Sequence, residues 1–191
     1  PVVTYVNSSA AVKAASDICC TSANVIKVVN SIDSDEILMT PDKNLALYAA
    51  ANTSKKIHLW DGYCPFHNTL TSQDVLKAKK DHPKACFIAH PECPPEVLAL
   101  ADSIQSTSGM IKFAGESDHS SFILGTETGI LYPISKAYPE KTFYPASKKM
   151  YCKDMKKITL ENLFDSLENL TGEIKVEEDI RKNALGAVQK M

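Results

Sequence analysis

Short apolar runs recur along this chain, each followed by a polar or hydroxyl-bearing break and then by a stretch of helical spacing. Residues 2–6 are an apolar, β-branched run that ends at Asn7-Ser8-Ser9, which can cap a helix over 10–15. Residues 17–20 read as a second buried strand, with Thr21-Ser22 capping a helix over 23–30. A third strand over 36–40 runs into Pro41-Asp42 and a helix over 45–51, and a fourth over 55–60 ends at a turn containing Cys64. A Thr71-x-x-Asp74 capping box opens a helix over 72–80. Further strands are predicted over 85–89, 102–105, 122–124 and 142–144, with helices over 95–100, 108–114 and 128–138. Thr159 caps an amphipathic helix with Leu160, Leu163, Phe164 and Leu167 on one face, and a more polar helix follows over 176–188. Short apolar strands alternating with helices argue for an α/β fold whose parallel sheets are covered on both faces.

The pattern repeats. At a separation of 85, Asp17 falls on Asp102, Thr21-Ser22 on Ser106-Thr107, Leu38 on Ile123, Asp42 on Glu127 and Lys56 on Lys141. Three residues are then inserted, so that Cys64 matches Cys152 and Thr71 matches Thr159 at a separation of 88. A repeat of this length encloses a whole α/β unit and reads as a duplicated domain. The expected fold is therefore two homologous three-layer αβα domains with short parallel sheets, at 1–67 and 68–152, followed by C-terminal helices at 153–191. The chain lacks an initiator Met and opens on what already reads as a buried strand, so it is expected to be part of something longer.

Composition narrows the classes. At 191 residues, 44% hydrophobic, with net charge −2 and interspersed charges, the chain carries no polyanion-binding footprint, so nucleic acid is not an expected partner. No apolar run approaches bilayer-spanning length and no signal-peptide pattern opens the chain, which makes a cytoplasmic location the default and a membrane no partner. Six cysteines in that setting are buried thiols, metal ligands or redox groups before they are a disulfide framework.

The candidate chemistry lies where helix N-termini face the carboxyl ends of strands, the ligand-binding edge of α/β sheets. The first copy offers Tyr5 and Asn7, Thr21-Ser22, Pro41-Asp42, and Cys64 with His67. The second offers His90 and Glu92, Ser106-Thr107, Thr126-Glu127 and Cys152. Hydroxyls and free N–H groups at such termini bind phosphate or carboxylate, although plain capping explains any one pair as well. His90 and Glu92 are close enough for one to polarise substrate and the other to move protons. Cys64 and Cys152 at equivalent turns suggest a shared ligand. Cys64-x-x-His67 with His90-x-x-Cys93 would instead make a tetrahedral Cys2His2 zinc site, and a non-catalytic anion-binding module of two domains is a third reading.

Several motifs in order carry a resemblance: Tyr5-Val6-Asn7-Ser8-Ser9-Ala10, Cys20-Thr21-Ser22-Ala23-Asn24, Pro41-Asp42-Lys43-Asn44-Leu45, Gly62-Tyr63-Cys64-Pro65-x-His67, His90-Pro91-Glu92-Cys93, Ser106-Thr107-Ser108-Gly109, Gly125-Thr126-Glu127-x-Gly129 and Cys152-x-x-Met155. Together they resemble quinolinate synthase across the whole chain. The resemblance implies three αβα domains about a pseudo-threefold axis, one of them, the N-terminal third, absent here. It also implies a transferase that condenses iminoaspartate with dihydroxyacetone phosphate to quinolinate, losing water and phosphate, in NAD biosynthesis. The cofactor implied is a 4Fe-4S cluster held by one cysteine per domain with one iron open. Cys64 and Cys152 match two of its ligands, and the third would lie in the absent domain, supplied in cis or in trans. Tyr5, His90 and Glu92 match catalytic positions, and Asn7, Ser22, His67, Ser106 and Thr107 substrate-binding ones. Residues 153–191 are expected to pack on the absent domain, leaving the Leu160, Leu163, Phe164 and Leu167 face exposed. A functional link to the enzyme that supplies iminoaspartate follows.

Overall fold

The computed structural model describes all 191 residues. Two four-stranded sheets, each entirely parallel, are built in succession. The first comprises β1 (Val2–Tyr5), β2 (Ile18–Cys20), β3 (Glu36–Thr40) and β4 (Lys56–Leu59) in the order β2-β1-β3-β4. Between them run α1 (Ala10–Ala14), α2 (Val25–Ser31) and α3 (Lys43–Ala50). Then α4 (Pro65–Asn68) and α5 (Ser72–Asp81) lead to the second sheet, β5 (Cys86–Ala89), β6 (Ser103–Ile104), β7 (Ser121–Gly125) and β8 (Thr142–Pro145), which repeats the topology as β6-β5-β7-β8. Its connections are α6 (Pro95–Leu98), α7 (Thr107–Glu116) and α8 (Leu131–Ala137), and α9 (Leu160–Asn169) and α10 (Glu178–Gln189) close the chain.

The second sheet shows why its strands read as continuous apolar runs. Side chains alternate across a strand, and here Phe87, Ala89 and Ile123 pack into one buried cluster while Cys86, Ile88, Phe122 and Leu124 pack into another. Helices cover both faces, giving three layers. In the first sheet Val3, Tyr5, Ile37 and Met39 pack against Val25, Val28 and Val29 of α2 and Leu45, Ala46 and Ala49 of α3.

The duplication extends into the hydrogen bonds. The Val2 N–H donates to Asp17 Oδ2 at 2.7 Å, and the Phe87 N–H donates to Asp102 Oδ2 at 2.7 Å. The register corrects one alignment: Glu36 pairs with Lys56 but Ser121 with Thr142, so one of the inserted residues precedes β8 and Lys55, not Lys56, corresponds to Lys141. Both lysines reach back to helix-end carbonyls, Lys55 to Ile32 and Lys141 to Ala114 and Ser117. The helix predicted over 128–138 is divided into a 3-10 turn at Thr128–Ile130 and α8, whose Pro133 sits in the first turn, where no N–H is required.

The C-terminal segment does not act as one unit. Helix α10 returns to the first sheet, laying the small buried residues Ala184 and Ala187 against Ala-rich α1 and β2, with Lys190 Nζ donating to the Asp17 carbonyl at 3.1 Å. The small side chains of α10 permit its close approach to α1. Helix α9 keeps the expected uncovered face, with Phe164 66% and Leu167 73% exposed.

Candidate active site

Cys64 and Cys152 occupy the loops that follow β4 and β8, and their backbones are held in the same way. Asp42 caps α3 by accepting from the Leu45 N–H at 2.8 Å, and its other oxygen accepts from the Cys64 N–H at 2.7 Å. Glu127, its counterpart, accepts from the Gly129 N–H at 2.7 Å and from the Cys152 N–H at 3.2 Å. The neighbours repeat too: the Lys43 N–H donates to the Gly62 carbonyl at 2.7 Å and the Thr128 N–H to the Met150 carbonyl at 2.9 Å. Each thiol is thus placed by a carboxylate at the end of its sheet's third strand. Both thiols are free, Cys64 half-buried and Cys152 buried. The two thiols thus occupy corresponding turns of the two repeats.

Pro65 sets the first turn of α4, with Cys64 as N-cap, and this turn brings His67 back over the thiol, Nδ1 lying 3.2 Å from Sγ. The other ring nitrogen, Nε2, lies 3.0 Å from Thr126 Oγ1 of the second repeat. The His67 ring stacks on His90 at 4.5 Å between centroids. Glu92 Oε2 lies 3.2 Å from His90 Nδ1 and 3.5 Å from His67 Nδ1. The Glu92 N–H donates to His90 Nδ1 at 3.3 Å, so that nitrogen carries a lone pair and the proton sits on Nε2. Asn44 ties the repeats together beneath the site, donating to the Glu92 carbonyl at 3.1 Å and to Asn68 Oδ1 at 3.1 Å.

These groups face a cleft of about 420 Å³ lined by Tyr5, Asn7, His67, His90, Glu92 and Thr107 together with Thr126, Glu127 and Lys156. Burial, helped by the nearby Asp42 charge, pushes Glu92 up to about 8 against the opposing Tyr5 hydrogen bond. Burial lowers His67 to about 4, and burial plus the neighbouring His67 lowers His90 to about 3. The Tyr5 phenol is raised by burial and by Glu92, and the Cys64 thiol is raised chiefly by burial. Glu127 is the exception. Burial opposes its charge, but Lys156 at 3.0 Å and two backbone donors hold it below the usual carboxylate range. Near neutral pH the site therefore presents a protonated carboxyl, two neutral imidazoles and a neutral phenol, beside one Lys156–Glu127 ion pair.

Of the residues singled out in the sequence, Tyr5, Asn7, His67, His90, Glu92 and Thr107 converge on this cleft. Cys64 opens onto an adjoining cleft that shares Tyr5, Asn7 and Glu92, and Cys152 sits behind Glu127. Ser22 and Ser106 line a separate small pocket of about 100 Å³. Ser22 counters part of the rise in the Tyr5 phenol's proton affinity, whereas Ser106 caps α7 through the Gly109 N–H at 3.2 Å. The Cys2His2 grouping does not form. The Cys93 side chain is fully buried in the second repeat's core, with Sγ 3.3 Å from the Gly125 carbonyl, and the ligand atoms that gather are those of Cys64, His67 and Glu92. Lys156 was missed among the site residues because only the fold carries it back onto Glu127. Glu127 had a signal in its match to Asp42.

A duplicated α/β protein with a buried acid and paired imidazoles facing a cleft at its strand ends has the layout of an enzyme. The family described as Quinolinate synthetase A protein matches residues 1–191, and the chain belongs to that family. It is 53% identical over 191 residues to "Quinolinate synthase 1" of Methanosarcina acetivorans and 51% identical over 191 residues to "Quinolinate synthase" of Geotalea uraniireducens. A third relative, "Quinolinate synthase" of Dehalococcoides mccartyi, is 50% identical over 191 residues. In each comparison all of this chain is matched, and it spans 63% of the relative's length.

Proposed function

We propose that this chain forms the catalytic portion of a quinolinate synthase, condensing iminoaspartate with dihydroxyacetone phosphate to quinolinate with loss of water and phosphate, in NAD biosynthesis. The observation that carries the reading is the convergence of Tyr5, Asn7, His67, His90, Glu92 and Thr107 on one cleft beside the twin-anchored Cys64 and Cys152. Those two thiols are the ligands this chain offers to a 4Fe-4S cluster. A third belongs to the part of the relatives' length that this chain does not span, supplied in cis or in trans. When bound, a cluster with one open iron supplies Lewis-acid stabilisation of negative charge on substrate oxygen.

The chain's own residues supply the proton chemistry. Glu92, with its affinity for a proton set near neutral pH, releases and retakes one at the substrate carbon or at the departing oxygen. Tyr5, held neutral against Glu92, donates from its phenol to an oxygen that becomes negatively charged. His90 accepts at Nδ1 and presents its Nε2 proton, while stacking on His67 fixes both rings. Asn7 and Thr107 orient the substrate, and the N-terminus of α7, at which Thr107 lies, favours its phosphate or carboxylate. Ser22 acts through Tyr5, and Ser106 through the α7 cap. No helix is long and apolar enough to cross a membrane. We place the activity in the cytoplasm, close to the enzyme that supplies unstable iminoaspartate.

The test is quinolinate formation by the chain with the complementary N-terminal portion supplied. Glu92→Gln should lower kcat by about 10²-fold or more with little change in KM. An unchanged kcat would remove Glu92 from the mechanism.

A further inference from the structure

Lys156 is the one cation among the residues that line the cleft, and the proton chemistry assigned to that cleft does not use it. We propose that its ammonium anchors an oxyanion of the substrate, a carboxylate or a phosphate. That the cleft takes such a substrate rests on the quinolinate synthase reading, whose two substrates carry these groups, while the lysine's fitness for the role rests on geometry.

The first repeat shows that a thiol-bearing loop can be anchored without such a lysine. Asp42 accepts the Leu45 N–H at 2.8 Å and the Cys64 N–H at 2.7 Å with no lysine hydrogen-bonded to it, because the Nζ of neighbouring Lys43 goes to exposed Asp61 at 3.0 Å. Glu127 accepts the corresponding backbone donors of Gly129 and Cys152, and Lys156 is added at 3.0 and 3.1 Å from its two oxygens. The two backbone N–H groups already answer part of the Glu127 charge, so the pair does not cancel the lysine's field. An ammonium has three donors, and Glu127 takes two of them. The third is left for a ligand. At Gly129 a Cβ would crowd the ammonium, at 2.8 Å, and the Glu127 carboxylate beside it, so the glycine keeps room for the pair. Ile111, Ile130, Pro133 and Met155 give the same cleft an apolar wall, where a charged contact is stronger than in open water. Tyr5, His67, His90 and Glu92 are neutral near neutral pH and orient an anion without balancing its charge.

The test uses anaerobically reconstituted protein with the complementary N-terminal portion present. Lys156→Met removes the charge and keeps most of the side chain's length, and Lys156→Arg keeps the charge. Lys156→Met should raise KM for one substrate by about 10- to 100-fold with kcat held within about 3-fold, and Lys156→Arg should restore most of the loss. A rise for iminoaspartate assigns the anchor to a carboxylate, and a rise for dihydroxyacetone phosphate assigns it to the phosphate. Unchanged KM values overturn the proposal. So does a fall in kcat that only tracks loss of the cluster's visible absorbance, the mark of a lysine that braces the Cys152 loop and does nothing else. Calorimetric titration with malonate and with inorganic phosphate separates the two readings. If the wild-type protein forms no quinolinate, the quinolinate synthase reading fails, while a loss of about 10-fold in affinity for one of these probes in Lys156→Met still upholds the anchor. Equal binding by wild type and variant, or binding of neither probe by the wild type, overturns it.

Discussion

At Glu92, His67 and His90 three buried titrations oppose one another, and the sign of each follows from which state holds the proton. Between about pH 4.5 and pH 6.5 the unfolded chain protonates two imidazoles that the fold keeps neutral, while the fold alone protonates Glu92. The unfolded state binds more protons, so stability rises with pH there. Above pH 6.5 the imidazoles are largely neutral in both states, the fold holds the extra proton on Glu92, and stability falls by about 2 kcal/mol up to pH 8. Of the groups facing the trio, Tyr5 and Cys64 are raised and stay protonated through this range, Glu127 is lowered and stays ionised, and Asp42, also raised, acts in the same sense as Glu92. Urea midpoints should therefore peak near pH 6.5, and Glu92→Gln should abolish the alkaline decline while keeping the acid one. The converging residues were legible as polar positions at strand ends. Thr126 was legible as such a position but its contact with His67 was not, and Lys156 carried no signal, because both contacts span long stretches of chain.

Among the elements, the two carboxylates that anchor the cysteines each join a helical start to a thiol-bearing loop. Asp42→Ala should cost about 1–3 kcal/mol from the lost cap and the orphaned Cys64 N–H, measurable by denaturant unfolding. Helix α9 behaves oppositely. Its apolar face touches little, so Phe164→Glu should change stability by no more than about 0.5 kcal/mol while improving solubility. Strand and helix order was readable from alternating apolar runs, and the duplication from spacing alone. The division of 128–138 and the one-residue shift that pairs Lys55 with Lys141 were not, since a 3-10 turn and a strand register leave no periodic signature. The return of α10 was hidden for a related reason: its contact face is made of alanines, which carry almost no amphipathic signal.

For the whole molecule, the site belongs to neither repeat. Cys64, His67 and Tyr5 come from the first copy and its exit loop, His90, Glu92, Thr107 and Thr126 from the second, and Asn44 fastens the Glu92 loop to the first. Asn44→Ala should loosen that junction and lower kcat more than it lowers the unfolding midpoint. In the proposed function this chain supplies two of three thiol ligands and most of the catalytic groups of a quinolinate synthase. The most direct measurement is quinolinate production from iminoaspartate and dihydroxyacetone phosphate by anaerobically reconstituted protein, with and without the complementary N-terminal portion. Production only when that portion is present, and its loss in Cys64→Ser and in Cys152→Ser, is the predicted result. Production by the 191-residue chain alone, or undiminished production in either serine variant, would contradict it.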